Sequence, residues 1–370
     1  MKALMLHSEN SGVGYYRIWQ QAKYLERAGW EVARTPDQLV RLPNDDAIGE
    51  ASTDPELKKN YEQYGSWESL GRGSDILIFQ RPDDPQTLAM ALAMRDIYDA
   101  PFVFEIDDNV FDVSENSPSY KYWYPGSPLR EMAKMFMQDA DAITVTTPEL
   151  ADVYREFNSN VFVLPNCQDP EDWESISRPE PEDKIVIGWA GSNTHYDDLK
   201  LIARPIKKIL RNYPNVVFRI LGTLPDFLAD VKGVELRKDW VPVQNWYSKL
   251  AELNFNIGIA PVVNRPFNQC KSNIKWQEYG MLGIPTIASN VGPYKEIEHR
   301  ETGLLASNDM EWYSYLEELI KNEQERKRLG SNAKQYVLDN LNIQERIGEW
   351  NNVYRTIIEQ YKLRKAGSSS

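Results

Sequence analysis

Lys271, Lys275 and Glu278 fall at i, i+4 and i+7 within Lys271-Ser-Asn-Ile-Lys275-Trp-Gln-Glu278-Tyr-Gly-Met-Leu-Gly-Ile-Pro285-Thr-Ile-Ala-Ser289. In a helix, that spacing stacks the three side chains along one stripe near its N-terminal half. Cations beside a helix N-terminus favour phosphate, and a carboxylate one turn further on accepts hydrogen bonds from sugar hydroxyls. The stripe therefore suits an anionic, hydroxyl-bearing ligand. The plain alternative is a solvated Lys/Glu helix face.

Three other runs carry groups able to do chemistry. Glu9-Asn-Ser-Gly12-Val-Gly14-Tyr-Tyr-Arg17 is a glycine turn opening a helix, where backbone amides approach a phosphate closely. Arg17 stands at the third glycine position of the dinucleotide fingerprint, which disfavours a dehydrogenase. Glu105-Ile-Asp107-Asp108-Asn-Val-Phe-Asp112 places several carboxylates at the end of an apolar run. That group reads as a cation site, as an Asp-rich surface turn, or as a contact to sugar or acceptor hydroxyls. Its adjacent carboxylates lack the Asp-x-Asp spacing of a manganese site, so no metal is expected. In Trp189-Ala-Gly191-Ser192-Asn-Thr-His195-Tyr-Asp197-Asp198, Gly191 and Ser192 present amides to a phosphate and Asp198 is expected to cap the following helix. His195 is either part of that loop's chemistry or a loop residue satisfied by a backbone carbonyl. No Gly-x-Ser-x-Gly, P-loop or His-Glu-x-x-His occurs, and His7, His195 and His299 are too scattered for a metal triad.

Apolar runs alternate with helical patterns nearly throughout, the sequence form of a parallel α/β sheet. One series has strands at Ala3–His7, Glu31–Ala33, Ile76–Gln80, Phe102–Ile106, Ala142–Thr146 and Val161–Leu164, with helices near Tyr15–Ala28, Thr87–Tyr98, Leu129–Gln138 and Pro148–Phe157. Asp169–Asp183, rich in Pro, Glu and Asp, reads as a linker. A second series follows at Lys184–Gly188, Val216–Leu221, Val234–Leu236, Ile257–Ala260, Pro285–Ser289 and Gly303–Ala306. The fold class is thus α/β, two doubly wound Rossmann-like domains. Residues 1–167 form the N-terminal domain, with an insertion at 35–67, and 168–343 form the second domain. Residues 344–365 form a long terminal helix and 366–370 a disordered tail. Ligands of such sheets bind beyond the strands' carboxyl ends, which makes the cleft between two facing domains the expected site.

Length and composition fit this reading. The chain has 370 residues, 11 Trp and 20 Tyr, enough apolar surface for two cores. Its net charge of -13 argues against binding nucleic acid or an anionic membrane through bulk charge. No apolar run reaches a membrane-spanning length, and the N-terminus turns polar too soon for a signal peptide, so a cytoplasmic protein is expected. Cys167 and Cys270 have no partner pattern and are expected to be reduced thiols.

The segment around Lys275 and Glu278 resembles the donor-binding signature of retaining glycosyltransferases of the GT-B fold, family four, which reads Ser-Pro-x-Lys-x-x-Glu-Tyr-x-x-x-Gly-x-Pro-Val-Ile. The resemblance extends over nearly the whole chain and implies two such domains, the last helix packing back on the first. It implies transfer of a sugar from a nucleotide diphosphate donor, UDP- or GDP-linked, to a hydroxyl acceptor with retention. That acceptor is a glycan, a lipid-linked glycan, a small molecule or a modified nucleic acid, and no other cofactor is called for. Glu278 would hold the ribose hydroxyls and Lys275 would face the diphosphate, with Lys271 and Asn273 in the same donor-binding run. Gly12, Gly14 and Arg17 match the Gly-rich loop of the N-terminal domain, with Arg17 as a fixed cation suited to diphosphate. Gly222, Thr223, Trp240 and Val241 match places where relatives hold the nucleobase; Trp240 reads equally as core packing. Asp107 or Asp108 stands where many relatives carry a sugar-contacting histidine, and would orient the acceptor hydroxyl or, in an inverting enzyme, act as general base.

The sequence departs from the family in two places. The family's upstream glutamate, which contacts the transferred sugar, is Cys270 here, and the Arg and Lys usual in the loop after Trp189 are absent. Positive charge must then come from Lys271, Lys275 and Arg265. The rival functions are a nucleotide-sugar epimerase, a non-catalytic carbohydrate or nucleotide-sugar binding protein, and a DNA-modifying glycosyltransferase.

Overall fold

The computed structural model describes residues 1–6, 11–34, 65–82 and 85–368, with 55, 58, 59 and 62 isolated among them. His7 and most of the expected insertion at 35–67 lie outside the described residues. Among the described residues, twelve strands form two sheets, each six-stranded and parallel throughout. The first sheet holds β1 (Lys2–Leu6), β2 (Glu31–Arg34), β3 (Ile76–Gln80), β4 (Phe102–Glu105), β5 (Ala142–Val145) and β6 (Val161–Val163), in the order β2-β1-β3-β4-β5-β6. The second holds β7 (Ile185–Gly191), β8 (Val216–Gly222), β9 (Val234–Arg237), β10 (Ile257–Ala260), β11 (Thr286–Ser289) and β12 (Leu304–Ala306), in the order β12-β11-β10-β7-β8-β9. Central strands such as β3 and β10 are buried at every residue, as a sheet covered on both faces requires.

Contacts within the chain group into two units. The first comprises Met1–Asp107, Gly126–Pro165 and Ile343–Ser370; the second comprises Asp108–Pro125 and Asn166–Asn342. The final helix, Ile343–Ser368, belongs to the first unit, where Trp350, Tyr354 and Ile357 are fully buried. Hydrogen bonds tie it there: Trp30 Nε1 donates to Asn351 at 2.9 Å, Gln344 Nε2 to the Tyr24 hydroxyl at 2.8 Å and Tyr354 Oη to Gln21 at 3.2 Å. This helix continues through Ala366 and Gly367 to Ser368, so the tail expected from residue 366 is helical that far.

Two further features depart from the sequence reading. The first helix starts at Gly12, with the Ser11 side chain accepting from the Val13 amide, and passes through a π-helical turn at Tyr15–Trp19. The linker run Asp169–Asp183 opens on a 3-10 turn, Pro170–Trp173, with Asp169 and Trp173 both buried. In the second unit the helix Ile274–Met281 is almost wholly buried and lies against the helix Glu323–Asn340. A Cβ at Gly330 would stand 2.0 Å from the Gly283 carbonyl oxygen, so only glycine permits that approach.

Candidate functional site

The carboxyl ends of β7 and β8 run side by side in the second unit, with Gly191 opposite Gly222. Gly222 has φ +125°, and a Cβ there would lie 2.1 Å from the Gly191 carbonyl oxygen. Lys275, on the helix Ile274–Met281, reaches these ends and donates from Nζ to the Ala190 carbonyl at 2.8 Å. Its ammonium stands 5.4 Å from the centroid of the buried Trp189 ring, and a Cβ on Gly191 would come within 3.1 Å of it. Gly191 therefore leaves the lysine its place, and Gly222 leaves Gly191 its own. Burial, with the charge of Lys271 added, lowers the Lys275 pKa to about 8 against the opposing pull of Glu278.

His195 meets the same Trp189 ring edge-on at 5.6 Å, and its Nδ1 lies 2.8 Å from Asp198 Oδ2. Burial first, then the charges of Lys275 and Lys271, outweigh that hydrogen bond and lower the His195 pKa to about 4. The imidazole is thus neutral near pH 7, and Nδ1–H donates to the carboxylate, leaving Nε2 an acceptor. Asp198 does not cap a helix as the sequence suggested. It is buried, and its Oδ1 accepts from the Val263 amide at 2.8 Å and from Asn268 Nδ2 at 3.0 Å. The carboxylate thus fixes the loop after β10 to the loop after β7. Burial works against its charge, but His195, the Val263 amide and Lys271 hold its pKa below the usual carboxylate range. Ser192 is exposed, with its Oγ 2.7 Å from Thr194 Oγ1.

Glu278 lies one turn beyond Lys275 on the same helix and is 6% exposed. Its Oε1 accepts from the indole Nε1–H of Trp246 at 2.8 Å, a residue that sequence reasoning passed over. The Trp246 ring in turn packs against Trp240 at 5.4 Å and 37°. Trp240 is 55% exposed, which sets aside core packing for it. Val241 is half-buried and Thr223 exposed. The proximity of Trp240 and Trp246 along the chain was the available signal; nothing local links either to Glu278.

Lys271 is not on the helix with Lys275 and Glu278, because that helix begins at Ile274 and Lys271 lies in the preceding turn. It nonetheless contributes charge to the cluster. Its Nζ stands 3.6 Å from an Asp108 carboxylate oxygen and 4.6 Å from the Phe267 ring centroid. Asn273 is committed within the fold, donating to Glu296 at 2.6 Å and accepting from Gln277 at 2.6 Å. Arg265 lies 3.7 Å from Asp197, and its Nε has no hydrogen-bond partner among the described residues.

The carboxylates of the 105–112 run go to four different partners, so they form no common cluster. Glu105 is fully buried against Arg17, Asp107 lies 3.6 Å from Arg81, Asp108 pairs with Lys271, and Asp112 accepts from the Phe267 amide at 2.8 Å. Asn109 is buried with its Nδ2 3.8 Å from Cys270 Sγ, at the position of the family's upstream glutamate. Among the described residues, no group of three or more His, Cys, Asp or Glu is arranged to hold a metal ion. Arg17 is the largest departure from expectation. It is 1% exposed, donating to Glu105 from Nε at 2.6 Å and from Nη2 at 3.1 Å, and from Nη1 to the Leu164 carbonyl at 2.6 Å. Thr144 Oγ1 donates to the same glutamate. This guanidinium joins its helix to β4 and to the residue that follows β6, inside the first unit, and is not presented to a diphosphate. Gly12 and Gly14 begin the helix that carries it.

With this geometry, the chain carries the GT-B fold of glycosyltransferases. Sucrose-phosphate synthase from Thermosynechococcus elongatus is similar to it at TM-score 0.64 and 14% identity, over 97% of this chain and 100% of that one. A glycosyltransferase from Rickettsia africae is similar at TM-score 0.62 and 14% identity, over 96% of this chain and 98% of that one. HepE from Anabaena, in complex with UDP-glucose, is similar at TM-score 0.60 and 13% identity, over 95% of this chain and 99% of that one. No protein-family model matches the sequence, and no curated protein matches it. Among the described residues, no helix is long and apolar enough to cross a membrane.

Proposed function

We propose that the protein transfers a sugar, with retention, from a UDP- or GDP-linked donor to a hydroxyl acceptor. The observation that carries this is a half-buried lysine and a buried glutamate one turn apart on one helix, beside the glycine-tight ends of β7 and β8. A similar fold, that of HepE, holds UDP-glucose. Lys275, Lys271, Arg265 and the amides of Gly191 and Ser192 stabilise the diphosphate as it leaves, and Glu278 accepts hydrogen bonds from the ribose hydroxyls. Gly222, Thr223, Trp240 and Val241 lie about the nucleobase. The departing phosphate oxygen takes the acceptor proton, so no protein nucleophile is needed, and Asp107 and Asp108 place sugar or acceptor hydroxyls. Arg17 has a structural part only.

The charge at the diphosphate comes from side chains and amides, so transfer is proposed to need no metal. A thermal-shift screen of nucleotide sugars tests the reading, since a ligand at 100 times its dissociation constant adds about 2.7 kcal/mol of stability. The donor found is then assayed for transfer with and without EDTA. No stabilisation by any nucleotide or nucleotide sugar overturns the donor site. Activity lost to EDTA and restored by manganese overturns the metal-free reading.

A further inference from the structure

We propose that Trp246 is the positioning residue for Glu278, fixing the carboxylate that reads the ribose of a nucleotide diphosphate; this rests on the donor site proposed above. Glu278 sits on a flexible stem whose terminal torsion is broad, so burial alone does not set the plane of its carboxylate. The indole Nε1–H at 2.8 Å adds a directional restraint on that plane. Indole is a donor only, so the bond cannot reverse its sense, and a carboxylate offers about four acceptor sites, so the indole bond takes only one of them. Trp246 opens the helix Trp246–Glu252 and is half-buried, and Trp240 packs its ring against it at 5.4 Å. The indole is therefore held by its own helix and by a second ring. Removing its N–H takes that restraint from Glu278 while every charge in the site stays in place. The expected signature is a loss of ribose recognition rather than a loss of phosphate affinity.

The test is calorimetric titration of UDP and GDP, each beside its 2′-deoxy form, into wild type, Trp246→Phe, Trp246→His, Glu278→Ala and the Phe/Ala double variant, with cooperative melting checked for each. Wild type is expected to prefer the ribonucleotide by on the order of tenfold or more, as for a hydrogen bond to a charged group. Glu278→Ala brings that ratio near one. Trp246→Phe lowers it severalfold while leaving 2′-deoxynucleotide affinity unchanged. Trp246→His, which returns a ring N–H, recovers part of it, and the double variant is no worse than Glu278→Ala. A full ratio in Trp246→Phe overturns the inference, as does an equal weakening of both nucleotides. Where Trp246→Phe does not fold, a Trp246→His ratio as low as that of Glu278→Ala overturns it. If neither UDP nor GDP binds wild type, or neither is distinguished from its 2′-deoxy form, the donor-site reading itself fails and takes the inference with it.

Discussion

Lys275 titrates within an accessible pH range, so its proposed role in nucleotide binding has a pH signature. Its pKa is about 8, and the ammonium is the form that attracts phosphate, so nucleotide diphosphate affinity is expected to fall as pH rises through 8, by up to roughly tenfold per unit above it. Calorimetry in two buffers of different ionisation enthalpy should register proton uptake on binding above pH 8. Lys275→Arg, whose charge persists, should abolish both effects. The sign for stability is opposite. Between pH 8 and the ordinary lysine value of 10.5, the unfolded chain holds the proton more firmly than the folded one, so this residue's contribution to stability rises with pH. Arg17 behaves differently from Lys275 because its charge is spent inside the first unit. Arg17→Met leaves Glu105 buried without its cation and is expected to destabilise by about 3–5 kcal/mol in urea denaturation. Nucleotide affinity of the folded fraction should stay at the wild-type value, and a tenfold loss there would return Arg17 to the donor site.

At the scale of elements, the ends of β7 and β8 depend on a backbone that only glycine adopts. Gly222→Ala places a methyl against the Gly191 carbonyl in addition to conformational strain of order 1–3 kcal/mol. Moving Gly191 also moves the adjoining Ala190 carbonyl that receives Lys275. We expect a lower melting temperature together with at least tenfold weaker nucleotide binding, read by thermal denaturation and calorimetry on the same sample. Gly283 is the control, because its φ is +64° but nothing lies within 4 Å of an added Cβ. Gly283→Ala should lower stability through strain alone and leave nucleotide affinity intact. If both variants bind nucleotide equally well, the close approach of β7 and β8 has no part in the site.

For the molecule as a whole, the helix Ile343–Ser368 completes the first unit although it is the last element of the chain. A chain ending at residue 342 would expose the surfaces that cover Trp350, Tyr354 and Ile357, each worth about 1.5–3 kcal/mol when buried. Such a truncation is expected to abolish the cooperative transition of the first unit, with rapid proteolysis within residues 1–107 and 126–165. Limited proteolysis with mass mapping would show this, and a protease-resistant first unit would count against the prediction.

The sequence by itself determined the two parallel sheets. The twelve described strands were legible, and the central ones stand out because strands covered on both faces need unbroken apolar runs such as Ile76–Gln80 and Ile257–Ala260, a need that is local. The pairing of Lys275 with Glu278 was legible for the same kind of reason, since i and i+3 share a helix face whatever surrounds it. What only tertiary structure decided is where each charge goes. Arg17 and Glu105 are 88 residues apart, Asp198 and Val263 are 65 apart, and Trp246 and Glu278 are 32 apart. Nothing in the local periodicity of either partner marks these pairs. They exist because the fold brings distant elements together, where a buried charge must find whichever donor the fold supplies.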